Sequence, residues 1–288
     1  MATAVATADV GAVPDLGTST QQVWKLARYQ FRDYLRSRRY VLMMAIVAAI
    51  GAILTAVLAY FRPAGLVDDP LGFYGSAWGG GVTIIIVFAG VIFGGDAIAG
   101  EFQNKTGYFL MGLPIRRATI YAGKYLAAWA ASLTAVLVYL AILLGNGVFY
   151  FGASAFPWQL GESFVLTLVY LLALLGATFL FSSLFKTSTY ATLVVAVLFL
   201  FGFSILQTVI TDLAKIEPWF VISYASAILS NVFLNPYPPH VQHVALFAGG
   251  PINTVYNPTI VEGVIIMLGY FLLTSLLGLL LFEREEFT

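Results

Sequence analysis

Few residues in this chain have side chains that could perform chemistry. The chain has two histidines and no cysteine, which excludes disulfides, thiolate catalysis and thiolate metal sites. His240 and His243 lie three residues apart, a spacing that suits one helical face and could hold a metal ion. They follow Pro238-Pro239 without a carboxylate or a third ligand nearby in the sequence. We therefore expect surface or interfacial histidines and predict no metal site.

Motifs for nucleotide and hydrolase chemistry are absent from the sequence. It contains no Gly-x-x-x-x-Gly-Lys-Ser/Thr phosphate loop, no Gly-x-Ser-x-Gly and no His-Glu-x-x-His. Asp96 and Glu262 are the acids within or near apolar runs, and each lies near one end of its run, without a charged partner in that run. Ion and proton paths typically use charges near the membrane midplane. The sequence therefore predicts no enzyme and no cofactor held by this chain, and it gives an ion-coupled mechanism little support.

The elements that must position these groups are membrane spans. Hydrophobic residues make up 60% of the chain, charged residues 10%, and the mean hydropathy is +0.90, whereas a soluble domain carries roughly 25% charged residues. A span needs about 20 apolar residues, and uninterrupted apolar runs indicate helices rather than a barrel. We predict an all-α polytopic membrane protein whose transmembrane domain covers residues 40–288. The predicted spans are residues 40–61, 80–99, 120–150, 164–185, 190–210 and 260–282.

The distribution of lysine and arginine predicts the orientation of the spans. All but two of the 14 lysines and arginines lie before the first span, in or beside the second-to-third and fourth-to-fifth connectors, or in the tail. The connectors of opposite parity hold only Arg62 and Lys215. The positive-inside rule then places both termini in the cytoplasm, with the protein in the cell membrane. The zero net charge gives no indication of a nucleic-acid partner.

The N-terminal region is predicted to hold a tail and an interfacial helix. Residues 1–20 are small and polar, which indicates a disordered cytoplasmic tail rather than a signal peptide. Within residues 21–39, cations recur at helical spacing opposite Trp24, Ala27, Phe31 and Leu35, after a Ser19-x-x-Gln22 capping box. Such an elbow helix lies at the membrane surface and contacts lipids, as a topogenic anchor or as a specific lipid or partner site. The residues assigned to it are Trp24, Arg28, Phe31 and Arg32.

The connector at residues 211–259 is long and rich in proline, glycine and asparagine. Within it, Val221–Phe233 and Val241–Ala248 are apolar but too short to span a membrane. We expect short external helices that are re-entrant or interfacial, with an ordinary folded loop as the alternative.

The segment Asp96–Lys124 concentrates charge between two apolar runs. Leu113-Pro114 must leave helical geometry, and Lys124 is expected to reach the headgroups at the start of the third span. Apolar side chains on a charged connector predict a protein-binding patch, with a solvated loop as the alternative. The residues of that patch are Phe102, Tyr108, Phe109 and Met111.

This segment resembles the corresponding segment of ABC-2-type transporter permeases. Those proteins show an Asp, a small apolar run, a Glu, Gly-Thr, a Leu-rich triplet, Pro, an aliphatic residue, Ser-Arg and a later Lys. The chain departs from this pattern at Lys105, Met111-Gly112 and Arg116. An elbow helix, six spans and a long last external loop also resemble that family along nearly the whole chain. The matching residues are Asp96, Ala99, Glu101, Thr106, Leu110, Pro114, Ile115, Arg117 and Lys124.

The resemblance implies the membrane subunit of an ATP-driven exporter. Such a permease pairs with a second copy or a related subunit and docks on separate ABC ATPase subunits, which hold the ATP and Mg²⁺. ATPase closure would tilt the second and fifth spans at the dimer interface and expel the substrate. The apolar spans suit a hydrophobic or amphipathic substrate.

Two alternatives to this exporter stay open. They are an ATPase-coupled assembly or lipid-handling factor without vectorial export, and an ion-coupled secondary transporter. The resemblance also implies which residues couple the permease to the ATPase. They are Glu101, Phe102, Lys105, Thr106, Gly107, Tyr108, Phe109, Leu110, Met111, Pro114 and Arg117, with Lys186 and Thr187 as a second contact.

Overall fold

Long apolar helices form the body of the protein. The computed structural model describes residues 18–63, 69–104, 115–153, 155–245 and 252–284. Within these residues, 6 helices are long and apolar enough to cross a membrane. The predicted all-α architecture with six membrane spans is confirmed. The six helices are span 1 (Arg38–Tyr60), span 2 (Pro70–Gln103), span 3 (Arg117–Phe151), span 4 (Gln159–Leu184), span 5 (Ser188–Ala214) and span 6 (Ile260–Arg284).

Spans 2 and 5 extend well beyond the predicted runs. Span 2 begins at Pro70 rather than at residue 80, because the Asp69 carboxylate accepts hydrogen bonds from the N–H groups of Leu71 and Gly72 at 3.0 and 2.9 Å. Proline is also well suited to a first helical turn. Both spans contain π-helical turns, in which an extra residue locally widens the helix. These turns are Gly90–Gly94 in span 2 and Leu198–Gly202 and Ile210–Ala214 in span 5.

Helix α1 (Ser19–Arg36) precedes span 1 and packs along span 3. Its N-cap is Thr18, which forms the capping box with Gln21, so the predicted box at Ser19 and Gln22 is wrong by one residue. Both pairs have the same pattern of residue types, and the helix begins at the earlier one. Residues 1–17 of the predicted tail lie outside the described residues, whereas Ser19 and Thr20, which the prediction also assigns to that tail, belong to α1.

The buried face of α1 also differs from the predicted apolar face. Ala27 and Tyr34 are buried, and the Tyr34 hydroxyl donates to the carbonyl oxygen of Phe93 in span 2 at 3.3 Å. Trp24 and Leu35 are instead exposed. The helix therefore docks on the bundle along one side of the predicted apolar face and leaves the other side open.

Small residues bring spans 4 and 6 close together. A Cβ atom at Gly176 would lie 2.7 Å from the hydroxyl of Thr274 and 2.9 Å from that of Ser275. A Cβ atom at Gly278 would lie 3.2 Å from the Cα atom of Leu180. Such contacts are typical of packed membrane helices, where small residues allow the backbones to approach. Glycines and hydroxyls therefore serve close packing in this pair of spans.

The two ends of the bundle carry different elements. The basic end holds α1, the second-to-third and fourth-to-fifth connectors and the end of span 6, whereas the loop end holds the connector between spans 5 and 6. In that connector, short helices at Ile222–Ser226 and Ile228–Asn231 precede two antiparallel strands. The strands are β1 (Val241–Ala245) and β2 (Ile252–Tyr256), with Val241 opposite Tyr256.

The predicted helix at Val241–Ala248 is wrong, because residues 241–245 form strand β1, while residues 246–248 lie outside the described residues. Periodicity does not distinguish a short apolar helix from a strand. Here the β-branched residues of the facing segment Ile252–Tyr256 favour strand pairing.

The short helices pack into the loop end of the bundle. Their side chains Ile222, Tyr224 and Leu229 are buried. The Ser163 hydroxyl of span 4 accepts a hydrogen bond from the indole of Trp78 at 3.0 Å and donates to the Leu229 carbonyl at 2.6 Å. This links spans 2 and 4 to the second short helix. The predicted helical character of Val221–Phe233 thus holds as two short helices, and their entry into the membrane stays a prediction.

Candidate functional site

A connected set of polar side chains holds the basic end of the bundle. Asp96 lies at a turn of span 2, where the helix is interrupted at residues 95–98. Its carboxylate forms an ion pair with Arg39 of span 1, 57 residues away in the sequence. The Ser188 hydroxyl at the start of span 5 donates to the same carboxylate at 2.7 Å. A single acid therefore connects spans 1, 2 and 5.

A second ion pair connects span 3 to the end of span 2. Lys124 pairs with Glu101 and donates to the carbonyl oxygen of Ala97 at 3.1 Å. The side chains of Lys124 and Glu101 are 7% and 18% exposed. The expectation that Lys124 reaches the lipid headgroups is wrong, because the bundle itself offers an acid and a carbonyl oxygen to the amine.

Ser182 of span 4 caps the short helix Ala99–Gln103 that closes span 2. Its hydroxyl oxygen accepts hydrogen bonds from the backbone N–H groups of Ile98 and Ala99, each at 3.0 Å. Backbone donors at a helix start have no partner within the helix, and leaving them unsatisfied in a buried place is costly. Ser182 is itself fully buried, so it stabilises the interruption in span 2 from inside the bundle.

Gln103, the last residue of span 2, bonds directly to the first residue of span 5. Its side-chain oxygen accepts a hydrogen bond from the backbone N–H of Ser188 at 2.7 Å. The predicted second contact, Lys186 and Thr187, immediately precedes Ser188, and both residues are exposed. The sequence analysis missed Gln103 because its partner is a main-chain N–H, which gives no signal in the sequence.

The described members of the predicted coupling set contact their own bundle. Glu101 pairs with Lys124, and Phe102 is half-buried and packs against the core. Arg117 donates to the carbonyl oxygens of Phe282 and Glu283 at 3.3 and 2.7 Å, at the end of span 6. A contact of these residues with an ATPase stays a prediction. The other members lie outside the described residues: Lys105, Thr106, Gly107, Tyr108, Phe109, Leu110, Met111 and Pro114.

The predicted elbow residues border a shallow apolar pocket between α1 and span 3. Trp24, Arg28 and Phe31 line it together with Leu126 and Trp129. Trp24, Arg28 and Arg32 are exposed, whereas Phe31 is half-buried. The helix thus offers cations and an indole on its open side.

The loop end holds a cluster that the sequence analysis did not predict. Glu217 and Glu262 both approach His240, although each lies more than 20 residues from it in the sequence. Burial lowers the pKa of His240, but its hydrogen bond to the Asn257 carbonyl and the charge of Glu217 leave that pKa raised overall. His243 lies apart on strand β1, with its ring 3.4 Å from the Thr254 hydroxyl. The separation of these residues in the sequence explains why spacing alone gave no signal.

The six apolar helices, with charge confined to their ends, define a multi-pass membrane protein. The chain matches the family described as ABC-2 family transporter protein over residues 24–287. It therefore belongs to the ABC-2 transporter family, which confirms the resemblance. A comparison with curated proteins gave no match. The chain is thus the membrane component of an ABC transporter, and its family implies an ABC ATPase subunit as partner.

Proposed function

We propose that this chain is the permease subunit of an ATP-driven exporter and that the ATPase docks on the basic end. The observation that carries the proposal is the joint between spans 2 and 5, formed by Asp96, Gln103 and Ser188. The joint lies between Asn104, where the second-to-third connector begins, and the exposed pair Lys186 and Thr187. The described start of the first stretch that the resemblance assigns to ATPase contact thus lies beside the second stretch.

The polar contacts of the basic end suit the transmission of force. A push on the second-to-third connector would reach span 3 through Glu101 and Lys124, span 4 through Ser182, and spans 1 and 5 through Asp96. Satisfied polar networks in a low-dielectric interior are stiff. The π-helical turns of spans 2 and 5 would let these two helices adjust, since such turns often occur at functional sites.

Docking is tested by co-purification with a candidate ATPase. We expect Phe109→Ala and Lys186→Glu to weaken the association while insertion into the membrane stays normal. Lys215→Glu is the matched control, because Lys215 is also exposed but lies at the loop end. Normal association of both test variants would refute docking on the basic end. Glu101→Arg is unsuitable for this test, because it would place a second cation beside the buried Lys124.

Coupling is tested separately from docking. The double variant Gln103→Ala and Ser188→Ala removes two hydrogen bonds of the joint without touching the exposed pair. We expect the ATPase to bind this variant normally and to hydrolyse ATP without moving substrate. Unchanged transport by this variant would contradict a coupling role for the joint.

A second copy of the chain would pack on span 5. Its exposed residues Phe201, Ile205, Val209 and Leu213 recur every fourth position and so form one stripe. In its most apolar stretch, span 5 buries 11% within the chain, as does span 6, against 72% for span 2, so spans 5 and 6 both have open surface for a partner. The chain lacks cysteine, which gives a clean background for cross-linking.

The dimer proposal makes a direct cross-linking prediction. We expect Ile205→Cys to cross-link two copies in membranes, whereas Leu272→Cys on span 6 is the exposed control that should not. Equal cross-linking at both positions, or none at Ile205→Cys, would contradict a dimer face on span 5.

An amphipathic substrate fits a groove at the basic end. The groove lies between spans 1, 2 and 5, with the Arg39–Asp96 ion pair at one side and Leu42, Ile92 and Leu193 along its walls. A polar head would meet the ion pair while the apolar part contacts the leucines. With the basic end in the cytoplasm, as the positive-inside rule indicates, ATP-driven motion would carry this substrate outward to the loop end.

Transport into sealed inside-out vesicles decides between export and the alternative. We expect ATP-dependent accumulation of a fluorescent amphiphile that Leu193→Trp abolishes by filling the groove. ATP hydrolysis that responds to the amphiphile without accumulation would instead support an assembly or lipid-handling factor. That result would leave the ATPase partnership intact.

A further inference from the structure

Three metal-ligating side chains meet at the loop end, far from the proposed ATPase surface. Glu217 follows span 5, His240 precedes strand β1, and Glu262 lies in the first turn of span 6. One ligand atom from each lies within 4.8 Å of the other two. Glu217 Oε2 is 3.2 Å from His240 Nε2, and Glu262 Oε2 is 3.9 Å from His240 Nδ1. The fold thus gathers one imidazole and two carboxylates, with Glu217 nearest Nε2 of the ring and Glu262 nearest Nδ1.

The imidazole is oriented by a neighbour outside this trio. His240 Nδ1 lies 2.9 Å from the Asn257 carbonyl oxygen. Because a carbonyl oxygen only accepts, Nδ1 carries the proton, and Nε2 faces the Glu217 carboxylate. Two acceptors at 3.2 Å require a cation between them, which is either a second proton or a metal ion. A histidine that donates its other N–H to a backbone carbonyl is the usual arrangement of a metal ligand.

Both carboxylates also accept hydrogen bonds from groups outside the trio. The Tyr224 hydroxyl donates to Glu217 Oε1 at 2.6 Å, which leaves Oε2 turned toward the histidine. The backbone N–H of Thr259 donates to Glu262 Oε2 at 3.2 Å. Ligating carboxylates are commonly fixed by such outer hydrogen bonds. Each of the three ligands therefore has an orienting partner that the others do not provide.

Charge and spacing agree with a divalent ion. Two carboxylates this close repel each other, and a dication neutralises both. Around a tetrahedral Zn²⁺, with ligand distances of about 2.0–2.1 Å, neighbouring ligand atoms lie about 3.3 Å apart. Glu217 Oε2 and His240 Nε2 already lie 3.2 Å apart. The Glu262 carboxylate, now nearest Nδ1, would have to move toward Nε2 to complete the set. Three protein ligands would leave the fourth position to water.

We propose that Glu217, His240 and Glu262 bind a divalent transition-metal ion, for which Zn²⁺ is the reference. Imidazole with carboxylate oxygens suits Zn²⁺ better than Mg²⁺ or Ca²⁺, which prefer oxygen ligands alone. The ion joins the end of span 5, the start of β1 and the start of span 6. It fastens the loop between spans 5 and 6 across the loop end of the bundle.

The test measures Zn²⁺ binding to the purified full chain in nanodiscs by competition with a chelating dye. We expect one Zn²⁺ per chain and a melting temperature that rises with Zn²⁺. His240→Gln should weaken binding more than tenfold, whereas His243→Gln, at the chain's other histidine, should leave it unchanged. No binding by the wild type, or equal loss in both histidine variants, would overturn the site and leave an ion-paired cluster.

Tyr224→Phe makes the test independent of folding defects. Tyr224 is fully buried, and phenylalanine fills the same space while removing only the hydrogen bond to Glu217. Loss of an outer partner typically weakens metal binding about 10–100-fold, so we expect a weakening in that range. Melting temperatures measured with a chelator present report separately how much the lost hydrogen bond itself destabilises the fold. Unchanged Zn²⁺ affinity in Tyr224→Phe would contradict ligation by Glu217.

Discussion

The buried pair of Lys124 and Glu101 allows a quantitative test of how the basic end is held together. Removing one partner of a buried ion pair costs about 3–5 kcal/mol in soluble proteins, because the remaining charge is stranded. Two features reduce this cost here. The Glu101 side chain is 18% exposed, and in separated membrane helices both charged groups can extend to the headgroups.

The expected losses in the free energy of unfolding lie between the cost in soluble proteins and the smaller values measured for membrane helices. Polar contacts between membrane helices contribute about 0.6 kcal/mol on average and up to about 1.7 kcal/mol. We therefore expect Glu101→Gln and Lys124→Met each to lower the free energy of unfolding by about 2 kcal/mol. The double variant should lose about 1–1.5 kcal/mol less than the sum of the two single losses, because it strands no charge.

The assay is a double-mutant cycle followed by reversible unfolding in mixed micelles. The chain's 5 tryptophans provide the fluorescence signal. The coupling should change little between low and high salt, because the pair is mostly buried. A coupling energy below about 0.3 kcal/mol, which is within the additivity expected for independent sites, would show that the two charges do not act as a pair. The argument for a stiff connection between spans 2 and 3 would then fail.

Two further substitutions test the joints around this pair. Ser182→Ala leaves two buried backbone N–H groups without their acceptor, and we expect a loss of about 2 kcal/mol in the free energy of unfolding, measured in the same unfolding assay. Arg117→Gln removes the side chain that bonds two carbonyl oxygens at the end of span 6, and we expect faster amide hydrogen exchange in the last turn of that helix, measured by mass spectrometry.

Each of these substitutions has a matched neighbour as control. Ser183→Ala removes a buried hydroxyl that donates only to the Phe179 carbonyl one turn earlier in its own helix, so its cost should be small. Arg116→Gln removes an exposed cation beside Arg117. If Ser183→Ala costs as much as Ser182→Ala, the capping role is wrong. If Arg116→Gln speeds exchange as much as Arg117→Gln, the bond to span 6 does not explain the protection.

The spans were predictable because hydrophobicity is a property of each segment. About 20 apolar residues suffice to place a helix in a membrane, whatever packs beside it. The residues at which each span begins and ends were less predictable. Span 2 begins earlier because the Asp69 side chain caps it, and span 5 continues to Ala214 through two π-helical turns. These features depend on individual hydrogen bonds rather than on the sum of hydrophobicities.

Strand β1 shows the limit of the same reasoning in the loop. Its five residues are compatible with a short helix or a strand, and pairing with β2, later in the chain, decides between them. The predicted capping box was wrong by one residue, since two adjacent residue pairs have the same pattern and only one begins the helix. Local patterns therefore predicted that ordered elements exist here, but not always which element forms.

The sequence by itself determined that this protein lies in a lipid bilayer and how many spans it has. It also determined that one end is basic and the other carries the long loop, and to which family the chain belongs. Each of these depends on local composition or on a short motif. Only the tertiary structure decided what the charges contact: Asp96 meets Arg39, Lys124 meets Glu101, and His240 meets two glutamates. Such partners depend on how packed helices are rotated and aligned relative to one another. That alignment comes from contacts between residues far apart in the chain, which no single segment encodes.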